Sequence, residues 1–361
     1  MASSSPRILV LDGGMGTTLE SMNQDVSGRM WGSELLAKDP SAIAAVHSGF
    51  ISSGADIVQT ATYQMTLPAL VQSGYSLDEA KRIMRSSVSL ARSTCTAAQQ
   101  VALSIGPFGS TLSPGQEYAG IYPPPYGPPS TSTTSGKFEL PDQEELERAA
   151  IDALADFHYD KVSVFAQDAE TWAQIQWIAF ETIPLLREIT AIRKCMTRLR
   201  TEGREKNFWI TSAFTTGITT FDMEAYFRAL FHDEAKNEEQ EMAVPHGIGI
   251  NCTSPQYLTA LSTTFNHLLR EENLTAGSAK PKPWFVIYPD GGQVYDVVTR
   301  SWKANMDGLE VEDWAKNLAG IAKTIEMESH EGERVWAGVI VGGCCKAGFR
   351  EISALRQDLD T

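Results

Sequence analysis

Eight short apolar segments, each followed by a helical stretch or a long connection, constrain this chain more than any other feature. Residues 7–11, 55–64, 101–105, 175–180, 207–214, 247–252, 284–288 and 335–341 carry the aliphatic, β-branched and aromatic content of buried strands. Helical periodicity falls between them, at 35–53, 76–99, 144–165, 185–199, 221–232, 257–269 and 311–325, and again at 349–359. Gly54 is placed to end the first of these helices, and Pro184 to stand in the first turn of the one after residue 180. Short apolar strands alternating with helices imply a parallel sheet. Eight such units in 361 residues predict an α/β fold, a single (β/α)8 TIM-type barrel occupying residues 1–361. A Pro/Ser/Thr-rich stretch at 118–140, including Tyr122-Pro123-Pro124-Pro125-Tyr126, suits neither helix nor central strand and reads as a loop inserted after strand 3.

Composition narrows the function classes. No run of about 18 apolar residues exists, so no spanning helix is expected. The residues after Met1 lead into a strand rather than a signal-peptide core, and five cysteines suit a reducing compartment better than a disulfide framework. A cytosolic location follows as the expectation. A net charge of −15 argues against nucleic acid, which requires clustered Lys and Arg.

In a barrel of this type the site lies at the C-terminal ends of the strands. Those ends carry Asp12, Thr60, Glu181, Asn251 with Cys252, and the adjacent pair Cys344-Cys345. Adjacent cysteines make a poor disulfide but can present two thiolates to one soft ion. With Cys252 they would give Zn²⁺ three ligands and leave a fourth position open, the pattern of a catalytic site. The alternative is that all three are buried thiols packing as small hydrophobes. Convergence of polar residues at the other strand ends favours the metal. A zinc ion held by three thiolates suits activation of a substrate thiol, because it can keep that thiol ionised at neutral pH. Asp12 and Glu181 could hold an amino acid's ammonium, and the N–H groups of the turn at Gly13-Gly14 its carboxylate. The chemistry expected on these grounds is alkylation of an amino-acid thiol at sulfur.

The chain resembles the homocysteine S-methyltransferases over nearly its whole length. The matching stretches are Asp12-Gly13-Gly14 with Thr17-Thr18-Leu19-Glu20, residues 54–64, Ser104-Ile105-Gly106-Pro107-Phe108-Gly109 and Phe180-Glu181-Thr182-Ile183-Pro184. They continue with residues 249–255, Tyr288-Pro289-Asp290-Gly291 and Gly342-Gly343-Cys344-Cys345. This resemblance implies a zinc-dependent barrel enzyme that methylates L-homocysteine to L-methionine. It carries over Cys252, Cys344 and Cys345 as zinc ligands, and Asp12, Gly13, Gly14, Glu181 and Thr60 as the homocysteine pocket. The stretches around Phe108 and Glu181 look like the branch that uses a sulfonium donor, S-methylmethionine or S-adenosylmethionine. Trp31, Tyr63, Phe108 and Tyr118 could face such a cation, and each also reads as ordinary packing. Competing readings are betaine as donor, another thiol or selenol as acceptor, or a non-catalytic zinc barrel binding an amino acid or a partner. The chain departs from the family's usual arginine-threonine continuation after the cysteines, having Lys346-Ala347-Gly348-Phe349 instead.

Overall fold

Eight of the apolar segments form strands that lie side by side: β1 Ile8–Val10, β2 Ile57–Gln59, β3 Gln100–Ile105, β4 Trp177–Phe180, β5 Asn207–Ser212, β6 Gly247–Asn251, β7 Trp284–Tyr288 and β8 Val339–Val341. The computed structural model describes residues 7–28, 30–129, 138, 143–215, 222–233, 241–276, 281–296, 301–304, 310–330 and 332–361. All neighbouring pairs are parallel, in the order β1-β8-β7-β6-β5-β4-β3-β2. A bridge from Leu11 to Ile57 joins the two edges and closes the barrel. The strands are buried on both faces, which is why their sequences run apolar without alternation.

The main core lies between the sheet and its outer helices. A second core fills the barrel and includes Leu11, Ile57, Trp177, Trp209, Val286, Tyr288 and Ile340. Trp177 and Trp284, the first residues of β4 and β7, have ring centroids 6.3 Å apart and plug the end opposite the strands' C-termini. Chemistry is therefore confined to the other end.

The helices that matter for that end are α1 Met15–Ser21, α2 Pro40–Ser52, α3 Leu77–Thr94, α4 Glu144–Ala166 and α5 Leu186–Thr201. Four expectations need correcting. The segment after β1 is not only a turn, since residues 15–21 wind into a helix. The helix expected at 35–53 is two, because Asp39 leaves helical geometry before Pro40, which opens α2. Pro184 precedes the N-cap of α5, Leu185, instead of sitting inside the first turn. Val335 and Trp336 are buried but lie outside β8. Of the loop at 118–140, residues 118–129 and Phe138 fall among the described residues; the rest lie outside them. Among the described residues no helix is long and apolar enough to cross a membrane.

Candidate active site at the barrel mouth

Cys252 follows the last residue of β6, and Cys344-Cys345 stand three and four residues beyond β8. Although 92 residues separate Cys252 from Cys344, the closed sheet brings their Cα atoms to 5.5 Å. The Sγ atoms of Cys252, Cys344 and Cys345 all lie within 4.8 Å of one another, the only such cluster of three or more ligand-type side chains among the described residues. Cys344 and Cys345 have their sulfurs 3.9 Å apart. Two thiolates at about 2.3 Å from one tetrahedral Zn²⁺ would stand about 3.8 Å apart, so the donor set fits the ion. In this structure Cys252 and Cys344 are joined as a disulfide, while Cys345 is a free thiol. The sequence argues against a disulfide framework, and this pair is the one bridge among the described residues. Separations of this size between Cα atoms allow either a bridge or two metal ligands. Burial, reinforced by Asp290, pushes the Cys345 thiol up to about 12.

The loops that carry these residues are held under backbone strain. Thr182, Cys252 and Lys346, in the turns after β4, β6 and β8, have φ of 60°, 45° and 63° without being glycine. Hydrogen bonds hold each one. Thr182 donates its N–H to Asn251 Oδ1 at 3.0 Å and accepts from Asn251 Nδ2 at 2.7 Å. Cys252 N–H donates to the Tyr288 carbonyl at 3.1 Å, and Lys346 N–H to Thr17 Oγ1 at 2.8 Å. Lys346 also reaches Glu20 at 2.9 Å. The unusual residue after the cysteines is thereby tied to α1.

Gly13 and Gly14 are needed here for close approach rather than for unusual dihedrals, since neither has a positive φ. A Cβ on Gly13 would strike the Ala347 carbonyl, and one on Gly14 the Cys344 carbonyl. Gly14 N–H donates to the Ala347 carbonyl at 2.9 Å, so this amide, expected to bind a substrate carboxylate, is already engaged. The turn after β1 and the thiol turn after β8 are packed as one piece.

Two buried carboxylates, Asp12 and Glu181, stand just past the ends of β1 and β4. Asp12 is 1% exposed; its Oδ2 accepts from Gln59 N–H at 2.8 Å, and it does not cap α1. Its Oδ1 is buried with no hydrogen-bond partner among the described residues. Burial, then the charge of Glu181, raises its pKa well above the usual range, while Gln59 N–H pulls it down. Glu181 accepts a hydrogen bond from Ser104 Oγ. Burial raises its pKa, and Ser104 is the strongest opposing influence, followed by Gln59 and Tyr288. Two carboxylates set so close in a dry interior favour a cation between them. Thr60 is spent on the wall: its hydroxyl accepts from Ser104 N–H at 3.1 Å and shares a 2.7 Å bond with Thr62.

Several participants escaped sequence reasoning. Ser104 and Tyr288 stood in the matching stretches without a role, yet Tyr288 links Glu181 to Thr211 through a 2.8 Å hydroxyl bond. Lys161, on α4, is buried, donates to the Tyr63 carbonyl at 2.6 Å and is pulled down to about 7 by burial, against Glu181 and Glu188. It stands seven residues after Leu154 and three after His158, both fully buried, so a lysine on that apolar stripe was a readable signal. Of the aromatic candidates, Phe108 is packed with Tyr122, Tyr126 and Phe157. Burial raises the Tyr63 and Tyr118 phenols, with Glu117 adding to both and Glu181 to Tyr63, which fits a place near the mouth.

The model of the homocysteine S-methyltransferase family matches residues 9–359. The chain belongs to the homocysteine S-methyltransferase family. As a member it is an enzyme, a methyltransferase. Homocysteine S-methyltransferase 1 of Brassica oleracea var. italica is 27% identical, over 97% of this chain and 93% of that protein. Selenocysteine Se-methyltransferase of the same plant is 28% identical, over 97% and 88%. The homocysteine methyltransferase MmuM of Escherichia coli has been solved in metallated and oxidized forms, with TM-scores of 0.63 and 0.65. Each covers 98% of this chain and 96% of MmuM at 22% identity, a likeness that carries the fold.

Proposed function

We propose that this methyltransferase moves a methyl group from a sulfonium donor, S-methylmethionine or S-adenosylmethionine, to the thiolate of L-homocysteine, giving L-methionine. Cys252, Cys344 and Cys345 would hold one zinc ion per chain, once the Cys252–Cys344 disulfide is reduced. The observation that carries this reading is the trio of sulfurs within 4.8 Å at the mouth of the barrel, at the same end of the sheet as the buried carboxylates of Asp12 and Glu181. Bound there, zinc would lower the pKa of a substrate thiol in its open position and keep it ionised.

The chain's own residues orient that substrate. An α-ammonium placed between Asp12 and Glu181 would give Asp12 Oδ1 its missing donor and relieve the repulsion between the two carboxylates. Ser104, Tyr288 and Gln59 favour the ionised form of Glu181, and Thr60 fixes Ser104 from below. Gly13 and Gly14 let the thiol turn close onto the turn that bears Asp12. Holding the nucleophile in line with its methyl group is where much of the acceleration would arise. Residues 1–361 would act as one homocysteine-binding barrel domain. Likeness to a selenocysteine methyltransferase supports a second acceptor, a selenol, at the same place.

A donor panel on reduced, zinc-loaded protein tests the reading. Methionine formed from homocysteine with S-methylmethionine or S-adenosylmethionine, and not with betaine, is the expected result. Turnover with betaine alone would overturn the sulfonium assignment.

A further inference from the structure

The connection after β3 bends back over the barrel mouth, and α5 clamps it there. Glu188, fully buried near the start of α5, accepts from Phe108 N–H and from the Tyr122 hydroxyl, both at 2.7 Å, and lies 3.0 Å from His158 Nε2. Arg187 Nε donates to the Tyr126 carbonyl at 3.2 Å, and its guanidinium lies 5.9 Å from the Tyr122 ring centre. Leu185 fills the space beside Gly120, whose φ of 65° turns the chain inward. A buried carboxylate with three partners is a rigid anchor. The segment between Phe108 and Tyr122 is therefore fixed at both ends.

That segment carries Glu117 and Tyr118. Burial raises the Tyr63 and Tyr118 phenols, and Glu117 raises both further. Tyr118 is half exposed. Glu117 Oε2 is buried and has no hydrogen-bond partner among the described residues. Among the described residues no basic side chain offsets its burial. A buried carboxylate oxygen on the connection that follows β3, with phenol rings in the same loop region and no cation paired to it among the described residues, is suited to receive a cation from outside.

We infer that Glu117 binds the cationic methyl donor, with Tyr63 and Tyr118 alongside. The inference rests on the sulfonium reading above. A sulfonium offers no hydrogen-bond donor, so charge and ring faces are what can recognise it. In the transfer, the acceptor sulfur's lone pair forms the new C–S bond and the donor's C–S pair stays on its sulfur. The donor leaves as a neutral thioether, and the attraction to Glu117 ends with the reaction.

Calorimetric titration of S-methylmethionine and of methionine, without homocysteine, separates charge from shape and needs no turnover. Wild type should bind the sulfonium more tightly than the thioether. Glu117→Gln, which keeps the side chain's size, should weaken sulfonium binding about tenfold or more. It should also abolish that preference and leave homocysteine affinity and melting temperature close to wild type. Glu117→Asp should restore part of the preference. Equal sulfonium affinity in wild type and Glu117→Gln, or no sulfonium binding by wild type, overturns the assignment. Sulfonium binding that depends on Glu117, with methyl transfer to homocysteine absent, would instead uphold it and sink the proposed function.

Discussion

Ser104 Oγ donates a hydrogen bond to Glu181 Oε1 inside the barrel, joining the end of β3 to the residue that follows β4. The bond matters because burial alone would push Glu181 toward its neutral form, and Ser104 is the largest influence against that. Ser104→Ala should therefore raise the Glu181 pKa further. In a pH profile of kcat/KM for homocysteine, the acid limb should move to higher pH while the plateau above about pH 8 stays near wild type. A profile that drops uniformly without moving would show that Ser104 acts only through packing.

Removing the carboxylate itself is a harsher change. Glu181→Ala takes away one of two charges assigned to a desolvated ammonium, a contact of about 1.5–3 kcal/mol. The expected effect is a rise of about 10- to 100-fold in homocysteine KM with zinc content unchanged. An unaltered homocysteine KM would refute the role.

Gly14→Ala probes the packing of two turns. The added methyl would meet the carbonyl of Cys344, so the thiol turn has to shift. Zinc affinity, measured by competition with a chromophoric chelator, should fall by about tenfold or more, in line with what displaced supporting groups cost other metal sites. Wild-type affinity in a folded Gly14→Ala protein would mean that the two turns are not coupled.

A stability prediction comes from α2. His47 is fully buried, neither ring nitrogen has a hydrogen-bond partner among the described residues, and burial depresses its pKa from 6.5 to about 4. The unfolded chain takes up this proton first as pH falls, so the neutral ring's contribution is complete above 6.5 and is lost on descending to about 4. The loss amounts to about 3 kcal/mol over that window. In denaturant melts, His47→Leu should close on wild type by about that much between pH 7 and pH 4. Parallel curves for the two proteins would contradict it.

The barrel was legible because its strands are buried on both faces, so each reads as a short apolar run whatever its register. Strand ends were less so. Val335-Trp336 is as apolar as Val339-Ile340-Val341, and only hydrogen bonding to β1 and β7 separates them. The thiol trio could be proposed because cysteine carries its chemistry in its identity. Ser104 and Tyr288 carry theirs only in position: a serine inside an apolar strand means little until the next strand places a carboxylate against it. Glu117 was hidden for a related reason. It sits in a Pro/Gly-rich connection with no periodicity, and its place over the mouth is set by Glu188, 71 positions away. The same limit applies to Gly14. The sequence shows a flexible residue, whereas the fold uses the absence of a side chain.

Metal analysis of reduced protein, alongside Cys345→Ser, tests the central claim most directly. Cys345 is the right position to change because it stands outside the Cys252–Cys344 bond, so its loss leaves that pair intact. Reduced wild type should take up one zinc per chain and form methionine from homocysteine. Without reductant it should take up none, and Cys345→Ser should lose both metal and methyl transfer while remaining folded. Full methyl transfer by metal-free wild type, or by Cys345→Ser, would contradict the account.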